Sequence, residues 1–227
     1  MTAMTPQLAD AVWSAIDDQR RRTAALLDGL SEDQWDHTSL CDGWTVRHVA
    51  THLTLQRHHV TDVAAFVARN PSVLRRLSLN ATIHHSALIQ SRLPTAEIIS
   101  RIRAGIGSRR HNFFVSPLET LTDILVHSQD IAVPLGLDLT MDPSASELAA
   151  TRRWDTRNSM LSKVYGTPPL DGYRLVATDV GWERGEGREV AGPMGALLLL
   201  ITGRSAALRQ LTGEGADVLR SAAATPG

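Results

Sequence analysis

Thr45-Val46-Arg47-His48-Val49-Ala50-Thr51-His52-Leu53-Thr54-Leu55-Gln56, continued by Val60, Val63 and Val67, is the stretch on which the fold turns. Val49, His52, Leu53, Gln56, Val60, Val63 and Val67 recur at steps of three and four residues. That period lines side chains along one face of an α-helix. The spacing predicts a long helix that Thr45 caps, running to about Arg69, with Asn70-Pro71 stopping it. Its inward face carries His52 among aliphatic side chains. The ordinary explanation of such a residue is a core histidine bonded to a backbone carbonyl. The alternative is a ligand.

Working outward, a helix is expected from about Pro6 to Leu30, with apolar positions Leu8, Val12, Ile16, Leu26, Leu27 and Leu30. Ser31-Glu32-Asp33-Gln34 is a capping-box pattern that opens a short turn ending near Trp35. A third helix is expected after Pro94-Thr95, with Ile98, Ile99, Ile102 and Ile106 on one side; Ser72–Arg92 reads as either helical or mixed. Ser116-Pro117-Leu118-Glu119 opens a fourth helix that ends near Ala132, before Pro134. Four amphipathic helices joined by loops imply a bundle. After Gly136 the pattern changes. Met141-Asp142-Pro143-Ser144 reads as a linker, Glu147–Val164 as a helix, Tyr173–Asp179 as a strand and Trp182–Gly187 as a turn. A second strand at Arg188–Ala191 and a helix from Pro193 to about Thr202 follow. The expected class is α+β, mainly α: a helical bundle over residues 1–140 and a small α+β domain over 141–227.

The helix from Pro117 carries Asp123 and His127, four residues apart, so both leave one face about 6 Å apart along the axis. With His52 from a neighbouring helix they make a facial N,O,N set that suits a divalent metal with open positions. An ordinary i,i+4 ion pair is the competing explanation. His48, one turn before His52, could make the one-turn pair instead. Glu119 shares the stripe but lies about 12 Å from His127 along the axis, too far for a common ion. Asp130, three residues beyond His127, is placed to orient an imidazole from behind. The adjacent pairs His58-His59 and His84-His85 read as solvated, and His111 beside Arg109-Arg110, at a helix end or in a loop, reads as a surface residue. Cys41, in a loop before a helix, reads as a small buried thiol, with activation as a nucleophile the other option.

Composition removes several classes. The 227 residues are 43 % hydrophobic and 21 % charged, with a net charge of −1, which argues for a packed core and against a general attraction to nucleic acid or membrane surfaces. The longest apolar run, Ala196–Ile201, is far short of the ~20 residues of a membrane span. Met1–Asp10 lacks a signal-peptide pattern, and the single cysteine excludes an internal disulfide framework. The expectation is a cytoplasmic protein. Lys163 is the one lysine among 23 basic residues, a bias of GC-rich genomes. A homodimer through a bundle face stays open, although no apolar stripe stands out for it.

The run Cys41-Asp42-Gly43-Trp44-Thr45-Val46 through His52-Leu53 resembles the Gly-Trp-Thr-Val…His-Leu signature, with five residues between Val and His, of the mycothiol-dependent maleylpyruvate isomerase family, within the DinB-like superfamily. Asp123–Gly136, with His127, Asp130 and Pro134-Leu135-Gly136, resembles the family's second motif; Ala177–Gly192 and Leu197–Arg204 resemble its C-terminal domain. The resemblance implies a DinB-like four-helix bundle holding a divalent metal, commonly zinc, through His52, Asp123 and His127. The family usually has glutamate where Asp123 stands, a side chain one methylene longer. Arg204 matches an arginine proposed to meet an acidic substrate, and a cation ending a helix explains it as well. The implied activity is that of a metal-dependent transferase or isomerase. It would add mycothiol to a small electrophile in an actinobacterial host, with His48 moving a proton. Two alternatives are a non-catalytic, stress-associated metal- or ligand-binding protein and a scaffold in which Asp123 has ceased to ligate.

Overall fold

Thr5 ends its extended backbone with Oγ1 accepting the Leu8 N–H, and Pro6 occupies the first helical position, so helix α1 (Pro6–Asp28) starts where local chemistry puts it. The computed structural model describes residues 4–57, 91–112, 115–158 and 168–224. Helix α2 (Glu32–Asp36) carries the expected capping box between Ser31 and Gln34. Helix α3 (Val46–Thr54) is followed by one 3-10 turn, Leu55–Arg57. The expected continuation through Val60, Val63 and Val67 to Arg69, the two adjacent histidine pairs, and residues 72–90 lie outside the described residues. Helix α4 (Thr95–Arg103) buries Ile98, Ile99 and Ile102, and helix α5 (Pro117–Ala132) is the most deeply embedded.

Helices α1, α3 and α5 form the heart of the first unit, with α4 packed on α1 and α3. Val12, Ile16, Val49, Ile98, Leu121, Ile124 and Leu125 are fully excluded from water, the main stabilising contribution to such a core. One polar pair crosses it: Gln19 donates to Ser128 Oγ at 2.9 Å between α1 and α5. The loop before α3 is tied on both sides. Ser39–Trp44 closes a turn in which Gly43 takes φ 74°, and the Leu40 N–H donates to the Asp130 carbonyl at 3.1 Å. The chain divides into two compact units, Met1–Thr140 and Met141–Gly227.

In the second unit, helix α6 (Pro143–Asp155) starts earlier than expected and also ends earlier. Asp142-Pro143 is its cap and first residue rather than a linker: Asp142 accepts the Ala145 N–H at 2.8 Å. Strands β1 (Tyr173–Ala177), β2 (Glu183–Gly185) and β3 (Arg188–Gly192) form a sheet ordered β2-β1-β3. β1 is antiparallel to β2 and parallel to β3. The segment read as a turn therefore holds a strand. Its glycine has a packing reason: at φ 82°, a Cβ on Gly185 would lie 2.3 Å from the Tyr173 carbonyl. Helix α7 (Met194–Ile201) is apolar on every side and buried, and helix α8 (Glu214–Ala224) lies against β3. The result is a mainly helical chain with a small C-terminal α+β unit, as the pattern of elements implied. Among the described residues, no helix is long and apolar enough to cross a membrane.

Candidate metal centre

Two capping boxes set the helices that carry the centre. At α3, the His48 Nδ1 accepts the Thr45 N–H at 3.0 Å and lies 3.1 Å from Thr45 Oγ1. Accepting from an amide leaves Nδ1 unprotonated, so His48 has a defined structural task one turn before His52. At α5, Glu119 closes the box with Ser116 and is buried there, which accounts for its place on the stripe. Asp123 and His127 follow, one turn apart.

The three candidate ligands meet. His52 Nε2 lies 3.3 Å from Asp123 Oδ1, and His127 Nε2 lies 3.4 Å from the same oxygen. Each side chain is 16–19 % exposed, shielded but reachable. The two imidazoles stand edge to face with centroids 4.9 Å apart, and Trp44 packs edgewise on His52 at 5.6 Å. Distances of 3.3 and 3.4 Å are at the long end of hydrogen bonds. They match the ~3.3 Å edge of a tetrahedron whose bonds are the ~2.0–2.1 Å of zinc to nitrogen or oxygen. The donor set thus fits a divalent ion by chemistry and by spacing, and aspartate reaches both rings without the extra methylene.

Behind this triad the contacts are shorter. His127 Nδ1 lies 2.7 Å from Asp130 Oδ2, and the Asp130 side chain is wholly buried. Cys41 Sγ lies 3.1 Å from the same oxygen and 3.7 Å from His127 Nδ1. These separations are those of a hydrogen-bonded support. On the other side, Gln56 Nε2 donates to Asp123 Oδ2 at 2.7 Å. His52 Nδ1 is buried and has no partner among the described residues.

The charges reinforce one another. Burial pushes the Asp123 carboxyl upward, but the charges of His52 and His127 and the hydrogen bonds from both outweigh it and hold the group well below the usual carboxylate range. Burial works against the charged form of His127 as well. Its partners Asp123, Asp130 and Cys41 prevail and raise it well above an ordinary imidazole. Without a cation, Asp123 and His127 form an ion pair; a cation at Nε2 takes the place of the His127 proton.

Residues 16–114 match the mycothiol maleylpyruvate isomerase N-terminal domain. The match includes His52 and ends before α5, so Asp123 and His127 come from beyond it. Among solved structures, the chain is similar to a histidine-to-alanine variant of the mycothiol-dependent maleylpyruvate isomerase, at TM-score 0.58 and 11 % identity over 92 % of this chain and 93 % of that one. It is likewise similar to another crystal structure of the mycothiol-dependent maleylpyruvate isomerase, at TM-score 0.57 and 12 % identity with the same coverage. These likenesses show a shared maleylpyruvate isomerase fold. No curated protein matches the sequence.

The remaining candidates take other places. Arg204 lies in the second unit, where its guanidinium donates to the Thr202 carbonyl just past α7. His111 is half-buried with its ring 6.0 Å from that of Trp13. Cys41 is half-exposed and bonded to Asp130, not an isolated core thiol. Two features escaped the sequence: the contact of Gln56 with Asp123 and the convergence of Cys41 on Asp130. Gln56 gave a partial signal, as a polar residue on an inward stripe. Nothing near Cys41 in sequence pointed to residues 86 and 89 positions away.

Proposed function

We propose that this protein uses a divalent cation, zinc by the character of its ligands, held by His52, Asp123 and His127. With it the protein activates mycothiol for addition to a small electrophile, giving thiol transfer or isomerisation. The observation that carries the reading is the meeting of these three donors, all within 4.8 Å of one another, in a half-buried position. The family of the N-terminal domain and the mycothiol dependence of the similar solved proteins support the choice of thiol.

A bound divalent cation would supply positive charge that favours thiolate over thiol near neutral pH. The chain's own residues prepare for it. Asp130 accepts the Nδ1 proton of His127, which fixes the tautomer and turns the Nε2 lone pair toward Asp123. Asp123 offers a single negative charge, so the ligand set leaves a dication one positive charge for an incoming anion. Trp44 packs against His52 with ring centroids 5.6 Å apart and restricts the imidazole from that side. His48 is assigned to the helix cap, and no step is assigned to Arg204.

The test is thiol consumption against a panel of small electrophiles, with and without added zinc. Turnover that needs both thiol and metal, and that disappears in His127→Ala, supports the proposal. Binding of metal or ligand with no consumption of thiol would instead identify a non-catalytic binding protein.

A further inference from the structure

The carboxylate of Asp123 is held at both oxygens, and by different groups. Oδ1 faces the two imidazoles; Oδ2 accepts from Gln56 Nε2 at 2.7 Å. Gln56 is itself held. Its Oε1 lies 3.4 Å from a guanidinium nitrogen of Arg20, the looser of its two contacts. A carboxylate only accepts and a guanidinium only donates, so these neighbours leave one orientation for the Gln56 amide. Arg20 is fixed in turn. It is 2 % exposed and donates to the Gly105 carbonyl at 2.7 Å. Gly105 allows this approach, since a Cβ there would lie 3.3 Å from Arg20 Nε and 2.9 Å from the Ile102 carbonyl. The relay therefore runs from buried Arg20 on α1 through buried Gln56 in the 3-10 turn after α3 to the half-buried Asp123 on α5.

Resting on the metal-centre reading, we propose that Gln56, steadied by Arg20, is the positioning residue of this centre: it occupies Asp123 Oδ2 so that the carboxylate presents Oδ1 alone to the cation. Aspartate has a short side chain whose carboxylate can rotate to offer both oxygens. The amide donor removes that option, keeps the coordination number low and leaves positions free for an exogenous ligand.

The test uses the full chain loaded with zinc or with cobalt(II), whose visible absorption is intense at four-coordination and weak at six. Gln56→Met keeps the length and removes the donor. It is expected to weaken zinc binding about 10- to 100-fold in a chelator competition and to lower the cobalt(II) absorbance as Asp123 becomes bidentate. Arg20→Lys keeps the charge but loses the planar fork. It is expected to move both readings in the same direction by a smaller amount, and it carries the test if Gln56→Met does not fold. Wild-type affinity, or an unchanged cobalt(II) spectrum despite weaker binding, would overturn the positioning role and leave the metal centre standing. A wild-type chain that takes up neither ion would overturn both.

Discussion

The two imidazoles that face Asp123 are supported by opposite means. His127 has its rear nitrogen 2.7 Å from a wholly buried carboxylate, Asp130, which Cys41 also engages. His52 has a rear nitrogen that is buried with no partner among the described residues, and an aromatic edge beside the ring. The α5 side is thus oriented by charge-assisted hydrogen bonds, which fix both ring angle and tautomer. The α3 side is oriented by packing, which restricts the ring but sets no tautomer. The difference implies that α5 defines the geometry of the centre and that α3 supplies a ligand adjusting to it.

The largest expected effect comes from removing each ring. His127→Ala should abolish measurable zinc binding. It should also destabilise the metal-free fold by about 3 kcal/mol, because the buried Asp130 loses its cationic partner. His52→Ala should weaken zinc binding as strongly while costing the metal-free fold less, since its rear nitrogen has no partner among the described residues to be left unpaired. Denaturant unfolding of the two variants decides the matter; equal losses of stability would remove the asymmetry. Next in size, Asp130→Ala should reduce zinc affinity about 10- to 100-fold in the same competition assay, with the metal still bound at saturation.

pH sharpens the comparison on the α5 side. Zinc displaces a proton from His127, whose pKa is raised, so affinity should rise about tenfold per pH unit until that pKa is passed. For the metal-free chain the signs are opposite for the two partners. The contribution of Asp123 is present above its ordinary value of 3.8 and is lost as pH falls through its depressed folded value. That of His127 is complete below 6.5 and is lost as pH rises through its elevated folded value. Thermal melts of the metal-free protein should therefore be highest between roughly pH 4 and 6.5. Stability rising steadily through pH 8 would contradict the ion pair. The smallest effect should be that of Trp44→Leu, a loss in zinc affinity of at most about tenfold, since an aromatic edge contact contributes about 0.5–1.5 kcal/mol.

What the sequence made legible follows the range of the forces involved. Helix α5 could be placed from Ser116, Pro117 and Glu119 because a cap acts within one turn. The inward faces of α3 and α5 could be placed because helical period is a local property. The start of α6 differs from the expected one: Asp142-Pro143 is the same kind of signal as Ser116-Pro117, a cap and first helical residue that a linker can also contain. β2 resembles a turn in sequence because its glycine marks either a bend or a close approach, and only the neighbouring strand distinguishes them. Gln56 and Cys41 escaped for a different reason. Their contacts join residues 67 and 89 positions apart, and periodicity does not set how far one helix or loop is rotated against another.

The most direct test of the central claim is the metal content of the purified chain after equilibrium dialysis against zinc, determined by elemental analysis beside His127→Ala. The account predicts one ion per wild-type chain and none in the variant. Zinc-free wild-type protein, or a variant that keeps its ion, would contradict it.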